Sequence, residues 1–579
     1  MKLNLLRTIG AGLSVAMILT SCDGLGKMIK KQKEIKYTLT PNPIEMIGDS
    51  VQFTVGGKFN PKIFQKKVTL TLTPVIKYAN GGEKSLKPVT LVGEKATGSG
   101  QKIGFSSGGT FSYSSEKFAF ETGMRNAIVE LRGEGSIKTK KKAFDAVKLA
   151  DGTMATSLLV RNDEKSIMAK DAFVKVVPAN QSTHIYYMIS QSNVRPTEMK
   201  SEEMKNFTDF ISKNLNSPWY QFKGIGVSAY ASPDGETDKN ENLAKDRATS
   251  ASVAMMNEFK KDKNKDVTFG KTKEQFAVGT TREDWEGFKS AMEQSTIADK
   301  DLILRVLTMY ADPDQRRKEI KNLSKTYVEL ADKILPKLRR AEITLNVDKK
   351  SRNDEQISKL AMSNPDSLSV EELLYAATLT NDLNTQAQIY ASAEKQYGSD
   401  WRTSNNLGCA LLMQNKLSEA GEAFKRAEKA SSTQPAVANN LGIVEARNGN
   451  RSAAMDLYKK AGSSPETKYN MAILEVRNGM YADAVTDFGT YNGHNKALSQ
   501  FMSGNGGAVK ETIDGSTEKE MAYSYYLKAV VAARQGSSAE AMTNLKTAIE
   551  KDNAFKTYAK DDVEFIKLRS DAAFTAMVN

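Results

Sequence analysis

The sequence predicts a multidomain protein in which an N-terminal all-β region, a mixed α+β domain and a C-terminal all-α repeat region follow one another. Its 579 residues are about four times the length of an average domain. Alternating apolar residues mark the first part, strand and helix patterns mix in the middle, and the last part repeats residue types at a constant interval. These changes of pattern place boundaries near residues 180 and 349.

The composition excludes several classes of enzyme and metal site. The chain contains only two histidines, His184 and His494, and two cysteines, Cys22 and Cys409, all far apart. A structural zinc site needs about four such ligands at short spacings, so no metal is predicted. Neither histidine lies in a recognisable catalytic context, and no glycine motif for nucleotide phosphates is present. We therefore expect no cofactor and no catalytic residues.

Residues 1–21 have the pattern of a secretory signal, because Lys2 and Arg7 frame a basic start and an apolar run follows over residues 9–19. That run is too short to span a bilayer, which takes about 20 residues. The quartet LTSC that ends at Cys22 resembles the bacterial lipobox. The resemblance implies a lipoprotein that carries lipid chains, palmitate among them, on Cys22. The alternative is an ordinary cleaved signal with an incidental cysteine.

A lipid on Cys22 implies anchoring in the outer membrane, and we expect the protein on its periplasmic face. Residues 22–34 are polar and basic and predict a lipidated tether of up to about 40 Å. Removing the signal lowers Lys plus Arg from 82 to 80 against 69 acidic residues, which leaves a net charge of +11. Since Cys409 is then the one unlipidated thiol, no intrachain disulfide is expected.

Residues 35–180 predict a β-sandwich (Ig-like) region of one or two modules. Apolar residues occupy every second position, as in Val68, Leu70 and Leu72, and turn-forming residues separate the runs. Spacer or adhesive modules without chemistry are the expected role. The lysines of residues 138–142 are interpreted as a solvated turn or sheet edge, because an exported protein meets little nucleic acid.

Residues 181–349 carry two motifs of a known family. Residues 240–248, NENLAKDRA, resemble the NxxLSxxRA signature of OmpA-like domains, which bind peptidoglycan, and residues 338–343, LRRAEI, resemble the family's NRRV-type final strand. The resemblance implies an α+β fold and possession of a wall-binding site. The family module is shorter, so residues 281–335 are expected to be a mostly helical insertion.

Arg247 is the central residue of this resemblance. At about 100° per residue it falls on the same helical face as Ala244, Ala248 and Met255, so it needs an anionic partner. Its planar guanidinium group can bind a stem-peptide carboxylate through two hydrogen bonds. An internal ion pair with a nearby acid such as Asp234 or Asp238 is the alternative.

The family's ligand-binding aspartate has no match at the expected place, since eight residues before Asn240 lies Ser232. Asp234, two residues further on, can substitute if the loop bends inward. The candidate residues for peptidoglycan are therefore Arg247, Asp234, Ser232, Asn240 and Arg340.

Residues 350–579 resemble the tetratricopeptide repeat (TPR). Leu373, Leu407 and Leu441 follow one another at an equal interval of 34, and aromatic and alanine positions recur at the same interval. That period is typical of two antiparallel helices that bury small and aromatic side chains against the next repeat. Cys409 is interpreted as a packed small residue.

Three asparagines, Asn406, Asn440 and Asn470, occupy one equivalent position of these repeats. In this family such asparagines can form a ladder that binds the backbone of an extended peptide; a hydrogen bond within the asparagine's own repeat is the alternative. Positive charge on the same helices is consistent with an acidic partner segment. The basic candidates for partner binding are Arg402, Arg447 and Arg477.

Together these features predict a non-enzymatic, lipid-anchored cell-envelope scaffold that tethers or organises an outer-membrane protein complex, with peptidoglycan binding as an added function. Protein partners, in particular outer-membrane proteins, are expected at the TPR solenoid, and nucleic acid is not. An alternative is an accessory subunit of an outer-membrane assembly or secretion machine in which the OmpA-like domain is only structural. The remaining alternative is a carboxylate-dependent cell-wall hydrolase, which needs two acids about 5 to 10 Å apart.

Overall fold

The computed structural model describes residues 24–261 and 267–579. It divides the chain into two compact units: one combines the residues up to Ala169 with Tyr397–Asn579, and the other is Lys170–Gln396. The first unit thus joins the N-terminal β region to most of the helical repeats. The predicted signal and Cys22 lie outside the described residues. Across the described ranges, no helix combines the length and apolar character that a membrane span requires.

The N-terminal region is rich in β-structure, as predicted. Its strands are β1 (Lys36–Thr40), β2 (Ile44–Ile47), β3 (Ser50–Val51), β4 (Thr54–Phe59), β5 (Thr69–Lys77), β6 (Glu83–Ser85), β7 (Val89–Gly93), β8 (Gln101–Ile103), β9 (Gly109–Ser114), β10 (Phe118–Ala119), β11 (Ile128–Ile137), β12 (Lys140–Ala143), β13 (Val147–Asp151) and β14 (Thr153–Met154). They form three sheets, ordered β1-β4-β9, β10-β3-β2-β14 and β12-β11-β5-β7-β8, with β13 on β11 and β6 on β5.

One continuous apolar core connects these sheets, so the region folds as one module. Leu39 of β1, Ile44 of β2 and Leu70 of β5 all belong to it. Along β5 the leucines are buried and the threonines between them are only half-buried, because successive side chains of a strand point to opposite faces. The longest pairing is antiparallel between β5 and β11, from Thr69 opposite Ser136 to Lys77 opposite Ile128.

The predicted tether is not an extended linker where the structure describes it. Residues Gly24–Lys30 form helix α1, and a short 3₁₀ turn follows at Gln32–Glu34. Leu25 and Met28 are fully buried in the core of the β region. These two residues are three apart and therefore share one helical face, so the basic residues between and after them remain exposed. The prediction of a free tether is corrected accordingly for residues 24–34.

The predicted boundary at residue 180 is also corrected. The last strand of the β region is β14, and residues 161–169 contribute to no strand or helix. Residues Val176–Tyr186 form strand β15, which belongs to a sheet of the second unit. The spacing of apolar residues could not locate this boundary, because residues 161–169 form neither a strand nor a helix and therefore have no regular burial pattern. Their backbone is hydrogen-bonded by side chains and not by a neighbouring strand.

The second unit contains a mixed four-stranded sheet of order β15-β18-β16-β17. Its other strands are β16 (Tyr220–Ala231), β17 (Phe276–Glu283) and β18 (Arg340–Lys350), with β16 parallel to β17 and antiparallel to β18. Helix α2 (Glu202–Asn214) follows β15, and helix α3 (Thr237–Phe259) follows β16. One apolar core includes residues of both helices and of β15, β16 and β18.

Further helices of this unit lie before and after β18. The segment predicted as a helical insertion, residues 281–335, contains α4 (Trp285–Glu293), α5 (Lys300–Met309), α6 (Pro313–Asn322) and α7 (Ser324–Lys333), and α8 (Leu335–Leu338) begins at its end. These helices share an apolar cluster of their own around Phe288, Ile303 and Leu330. After β18 the repeat region begins with α9 (Asp354–Ser363), α10 (Val370–Thr378) and α11 (Leu383–Tyr397).

The C-terminal part is all-helical and built of TPR-like antiparallel pairs, as predicted. The helices are α12 (Trp401–Met413), α13 (Leu417–Ala430), α14 (Pro435–Arg447), α15 (Arg451–Ala461), α16 (Pro465–Asn478), α17 (Tyr481–Phe488), α18 (His494–Met502), α19 (Val509–Asp514), α20 (Ala522–Gln535), α21 (Ser538–Lys551), α22 (Ala554–Asp561) and α23 (Ala572–Val578).

Glycine allows the two helices of a pair to approach closely. A Cβ placed on Gly408 would lie 2.5 Å from the ring of Phe424, and one on Gly442 would lie 2.5 Å from the ring of Tyr458. The same contact therefore recurs one repeat later, which explains the spacing of these glycines and aromatic residues in the sequence.

We expect Leu25→Ala to lower the free energy of unfolding of the first unit by about 2 to 4 kcal/mol, because it leaves a cavity in the β core. Urea denaturation followed by far-UV circular dichroism measures the change. Lys27→Ala, on the exposed side of the same helix, is the matched control and should change stability by less than about 0.5 kcal/mol. Equal effects of both substitutions would show that α1 does not pack as described.

Candidate peptide-binding groove of the helical repeats

A segment of the chain itself lies along the first helices of the repeats. We call residues 161–169 the groove segment. Its backbone is bonded by side chains of α12, α14, α16 and α18, all within the first unit. The predicted asparagine ladder therefore binds an extended backbone, and that backbone is intramolecular.

Each predicted ladder asparagine makes a two-point pairing with one residue of the groove segment. For Asn440, the backbone N–H of Ile167 donates to Oδ1 at 2.8 Å, and Nδ2 donates to the carbonyl of Ile167 at 2.9 Å. Asn470 pairs with Lys165 in the same way, at 2.6 and 2.9 Å. Asn406 pairs with Ala169 at 2.8 and 2.9 Å.

The two-residue spacing of these pairings follows from the geometry of extended chain. Successive side chains and backbone groups of such a chain alternate sides, so every second residue presents its N–H and C=O to the helices. Because a planar amide offers one donor and one acceptor side by side, it satisfies both groups at once. The arrangement resembles the pairing of a strand with a neighbour, with side-chain amides in place of the second backbone.

A second set of asparagines supports the first. Asn405 Nδ2 donates to the carbonyl of Ile167 at 3.0 Å, and its Oδ1 accepts from Asn440 Nδ2 at 3.0 Å. Asn439 does the same for the carbonyl of Lys165 and for Asn470, at 3.0 and 2.9 Å. Asn405 and Asn439 are fully buried, so each amide is held by this network.

The two-point pairing occurs at every second residue of the groove segment except at Asp163, which lies between the paired residues Arg161 and Lys165. Asn495 pairs with Arg161, accepting from its N–H at 2.8 Å and donating to its carbonyl at 3.1 Å. Asp163 lies in the gap and accepts from Asn495 Nδ2 at 2.8 Å and from the hydroxyl of Tyr469 at 2.7 Å. Burial and the Asp163 carboxylate raise the pKa of Tyr469, which therefore stays a hydrogen-bond donor.

Two of the three predicted arginines bind the groove segment. Arg447 donates through Nε to the carboxylate of Glu164 at 3.0 Å and through Nη2 to the carbonyl of Asn162 at 3.3 Å. Arg477 donates to the side-chain oxygen of Asn162. The Glu164 side chain is only 2% exposed, so this acid needs the guanidinium beside it. The acids that the groove binds are thus Asp163 and Glu164 of the chain itself.

Arg402 is different from the other two arginines. It pairs with Asp400 on its own helix, with Nη2 at 2.7 Å from Oδ2. That carboxylate also receives the backbone N–H of Arg402 at the start of α12, and these bonds lower the pKa of Asp400 against the opposing effect of burial. The pair therefore stabilises the start of α12.

His494 extends the ladder by one step. Its Nε2 is 2.9 Å from the carbonyl of Leu159, which assigns the proton to that nitrogen. The ring is 1% exposed and packs edge-on against Tyr523, with centroids 5.0 Å apart. Burial lowers the pKa of His494 to about 4, and the nearby Arg161 contributes in the same direction. The imidazole is therefore neutral at pH 7.

The groove residues that sequence reasoning missed are Asn405, Asn439, His494 and Asn495. Asn405 and Asn439 are separated by one repeat interval and directly precede the predicted asparagines Asn406 and Asn440. The repeated Asn-Asn pair could therefore have identified them in the sequence. His494 and Asn495 follow Asn470 at a distance much shorter than that interval. Cys409 is fully buried, as interpreted, and its Sγ accepts from Asn440 Nδ2 at 3.3 Å.

In the second unit, Arg247 is buried, with 1% of its surface exposed. Its Nε, Nη1 and Nη2 donate to the carbonyls of Gln191, Tyr230 and Met188 at 2.9, 2.9 and 3.2 Å. Burial lowers the pKa of Arg247 to about 10. Neither predicted arrangement, an external carboxylate or a direct internal ion pair, matches these bonds, because backbone dipoles take the place of the acid.

The other predicted wall-binding residues lie together near the start of α3. Ser232 accepts from Arg339 Nε at 3.0 Å and bonds Asp234, and Arg339 Nη2 is 3.3 Å from the Asp234 carboxylate. Asn240 Nδ2 donates to the carbonyl of Ser232 at 3.1 Å and to Glu283 at 2.7 Å. The loop bends so that Asp234 meets an internal arginine.

Arg340 forms an ion pair with Asp284 and lies over the ring of Tyr230, 4.9 Å from its centroid. Sequence reasoning missed Arg339, although it directly precedes Arg340 in the quoted LRRAEI motif. It also missed the buried pair of Arg317 and Glu283, whose side chains are 8% and 5% exposed. Within residues 24–261 and 267–579, no cluster of three or more His, Cys, Asp or Glu side chains is arranged to hold a metal ion.

Comparison with known proteins gives structural similarity only. No family model matches the chain, and no curated protein matches it. Among solved structures, a tetratricopeptide repeat protein from Parabacteroides merdae is similar at 15% identity over 42% of this chain and 99% of its own, with a TM-score of 0.29. YrrB, described as a TPR protein with an unusual peptide-binding site, is 18% identical over 36% of this chain and 99% of its own, with a TM-score of 0.22. PilF of Pseudomonas aeruginosa is 12% identical over 38% of this chain and 100% of its own, with a TM-score of 0.29.

We expect Asn440→Ala to lower the free energy of unfolding of the first unit by about 2 to 4 kcal/mol, because it removes the acceptor of the Ile167 N–H and the donor to the buried Asn405 Oδ1. Urea denaturation measures the loss, and limited trypsin digestion checks its location. Cleavage after Lys165 should be slow in the wild type and fast in the variant. Asn492→Ala, at an exposed asparagine, is the control and should leave both readouts unchanged. Slow cleavage in both variants would contradict the pairing.

We expect His494 to make the first unit less stable as the pH falls. The unfolded chain binds a proton at the ordinary pKa of about 6.5 and the folded chain only at about 4, so acid favours unfolding. Between pH 7 and pH 5 the loss is about 2 kcal/mol. His494→Gln should remove this part of the pH dependence in urea denaturation.

Glu475 titrates in the opposite direction, which makes it the control for this measurement. Burial and the neighbouring acids raise its pKa to about 7, so its protonation in acid favours the folded state. Glu475→Gln should therefore steepen the loss of stability in acid. Identical pH profiles of the wild type and His494→Gln would show that the imidazole is not buried in neutral form.

Proposed function

We propose that this protein is a non-enzymatic, lipid-anchored scaffold of the cell envelope that tethers or organises an outer-membrane protein complex. The observation that carries the proposal is the run of TPR-like helix pairs, whose first helices already hold one extended backbone by two-point pairings and whose second helices carry exposed side chains. Such helical repeats offer long surfaces for protein partners. The described geometry of the groove provides binding and positioning.

The groove segment limits where a partner can bind. A partner peptide in the groove would have to replace the pairings of Lys165, Ile167 and Ala169 and also supply an acid for Arg447. Because the groove segment is continuous with the chain at both ends, displacing it would also require the adjoining β region to move. We therefore propose that the partner docks on the outer helices of the repeats, α13, α15 and α17.

The test is cross-linking mass spectrometry on membranes that contain the full chain at its native level. We expect a stoichiometric outer-membrane protein to co-purify and to be cross-linked to exposed lysines of the outer helices, such as Lys425, Lys429 and Lys459. The chain purified after denaturation and mixed with the same membranes is the control. A chain that leaves solubilised membranes as a lone monomer would overturn the scaffold proposal.

Anchoring through Cys22 has its own test. Metabolic labelling with palmitate should mark the wild type and not Cys22→Ser, and the variant should move to the soluble fraction. Ser21→Ala, which keeps a small residue before the cysteine, should be labelled as the wild type is. Unlabelled wild-type protein would favour an ordinary cleaved signal.

We infer that the α+β domain of the second unit is OmpA-like. The motif resemblance is supported by its position, since residues 240–248 lie at the start of α3 and residues 340–343 open the last strand of the sheet, β18. The segment expected as an insertion lies between β17 and β18 and is helical. Together these placements agree with the order of elements that the two motifs imply.

The alternative, an accessory subunit of an outer-membrane assembly or secretion machine in which this domain is only structural, is favoured by the bonding of Arg247 and Asp234. The Arg247 guanidinium donates hydrogen bonds to three backbone carbonyls, and the Asp234 carboxylate forms an ion pair with Arg339. A stem peptide could reach Arg247 only after residues 188–191 moved away. If the domain is structural, the wild type should not be retained on purified sacculi; retention that Asp234→Asn abolishes would favour wall binding.

A further inference from the structure

Helix α1 brings the start of the described chain against one end of the β region. A Cβ placed on Gly24 would lie 3.2 Å from the Cβ of Gln65 and 3.5 Å from Cδ1 of Ile137. Leu25, the next residue, is 2.7 Å from the Cβ position of Gly135. The N-terminus of α1 therefore lies between the loop that contains Gln65 and the hairpin formed by β11 and β12.

Both neighbouring elements carry exposed lysines. We call these residues the basic end of the β region: Lys62, Lys66, Lys67, Lys138, Lys140, Lys141 and Lys142. Acids are fewer here. On the hairpin, Glu134 pairs with Lys141 at 2.8 Å with both side chains more than half exposed, and Asp145 accepts from Gln32. An exposed ion pair of this kind is weak, so the basic end keeps an excess of positive charge.

The position of this charge relative to Cys22 is fixed by covalent geometry. Two peptide units separate Cys22 from Gly24, so their Cα atoms are at most about 8 Å apart. Since α1 is packed into the core, no long linker intervenes between a lipid on Cys22 and the basic end. A tether that holds the domain off the bilayer is incompatible with such an arrangement.

We propose that the basic end is a membrane-contact surface that binds the anionic headgroups of the leaflet in which the protein is anchored. This inference rests on the proposed lipid anchor, which sets the occupant. The attraction between a basic residue and an anionic surface falls off within the Debye length of about 8 Å, and a lipid on Cys22 brings the loop and hairpin that carry the lysines toward the membrane. Lipid and basic surface then act as two signals on one membrane.

The test uses the full chain from residue 22 to residue 579, with Cys22→Ser, so that binding depends on the surface alone. Flotation with vesicles of phosphatidylcholine and phosphatidylglycerol, mixed at about seven to three, is compared with flotation on pure phosphatidylcholine. We expect binding to the anionic vesicles only, weakened at least fivefold by about 0.5 M NaCl because salt screens the headgroup charge. Replacing Lys138, Lys140, Lys141 and Lys142 by glutamine should weaken it at least tenfold, because each lysine near an anionic surface contributes up to about 1 kcal/mol.

A matched variant changes the net charge equally at a distance from the basic end. It replaces Lys510, Lys519, Lys546 and Lys560 by glutamine, all on exposed surfaces of the repeats outside the outer helices α13, α15 and α17. This control should bind anionic vesicles within twofold of the parent chain. Equal losses in the two variants, or equal binding to neutral and anionic vesicles, would overturn the proposal.

Binding to a different polyanion is the other outcome of these experiments. Lysine-dependent binding to sacculi or to heparin, with no binding to vesicles, would assign the basic end to a polyanion and overturn the membrane-contact proposal. Because the assay uses an unlipidated chain, its result is independent of palmitate labelling at Cys22. A labelled protein with a non-binding basic end, and an unlabelled protein with a binding one, are therefore distinguishable.

Discussion

The pairing of asparagine side chains with the backbone of residues 161–169 is the interaction on which the first unit depends. It satisfies partly buried backbone groups that no strand reaches, and it connects a β region near the N-terminus to helices near the C-terminus. Unpaired, these groups would carry the full penalty of burial. The repeats are therefore completed by a part of the chain that lies more than 230 residues earlier.

The fold could be predicted where the spacing of apolar residues along the sequence indicates which side chains are buried. Alternation identified β5, and the constant interval identified α12 to α15, because each repeat must bury the same glycine against the same kind of ring. Periodicity failed for residues 161–169, whose environment consists of amides on helices far along the chain. It failed for α1 as well, since Leu25 and Met28 among lysines look like a polar linker until the core they enter is known.

The candidate site was predictable in its residue types and only partly in its partners. Three of the ladder asparagines and two arginines bind an extended, acidic segment, yet the sequence could not indicate that the segment belongs to the same chain. Arg247 shows the same limit. Its place on an apolar helical face predicted an anionic partner, whereas its partners are three carbonyls from loops and a strand end that no local pattern could bring together.

The long sequence separation of the groove segment also bears on how the chain acquires its structure. Residues 161–169 leave the ribosome well before the helices that receive them. Until α12 to α18 have followed, the last of them more than 330 residues after Arg161, the segment has no complete set of amides to pair with. Contacts of such long sequence separation form slowly, so the closing of the first unit is expected to be a late step of folding.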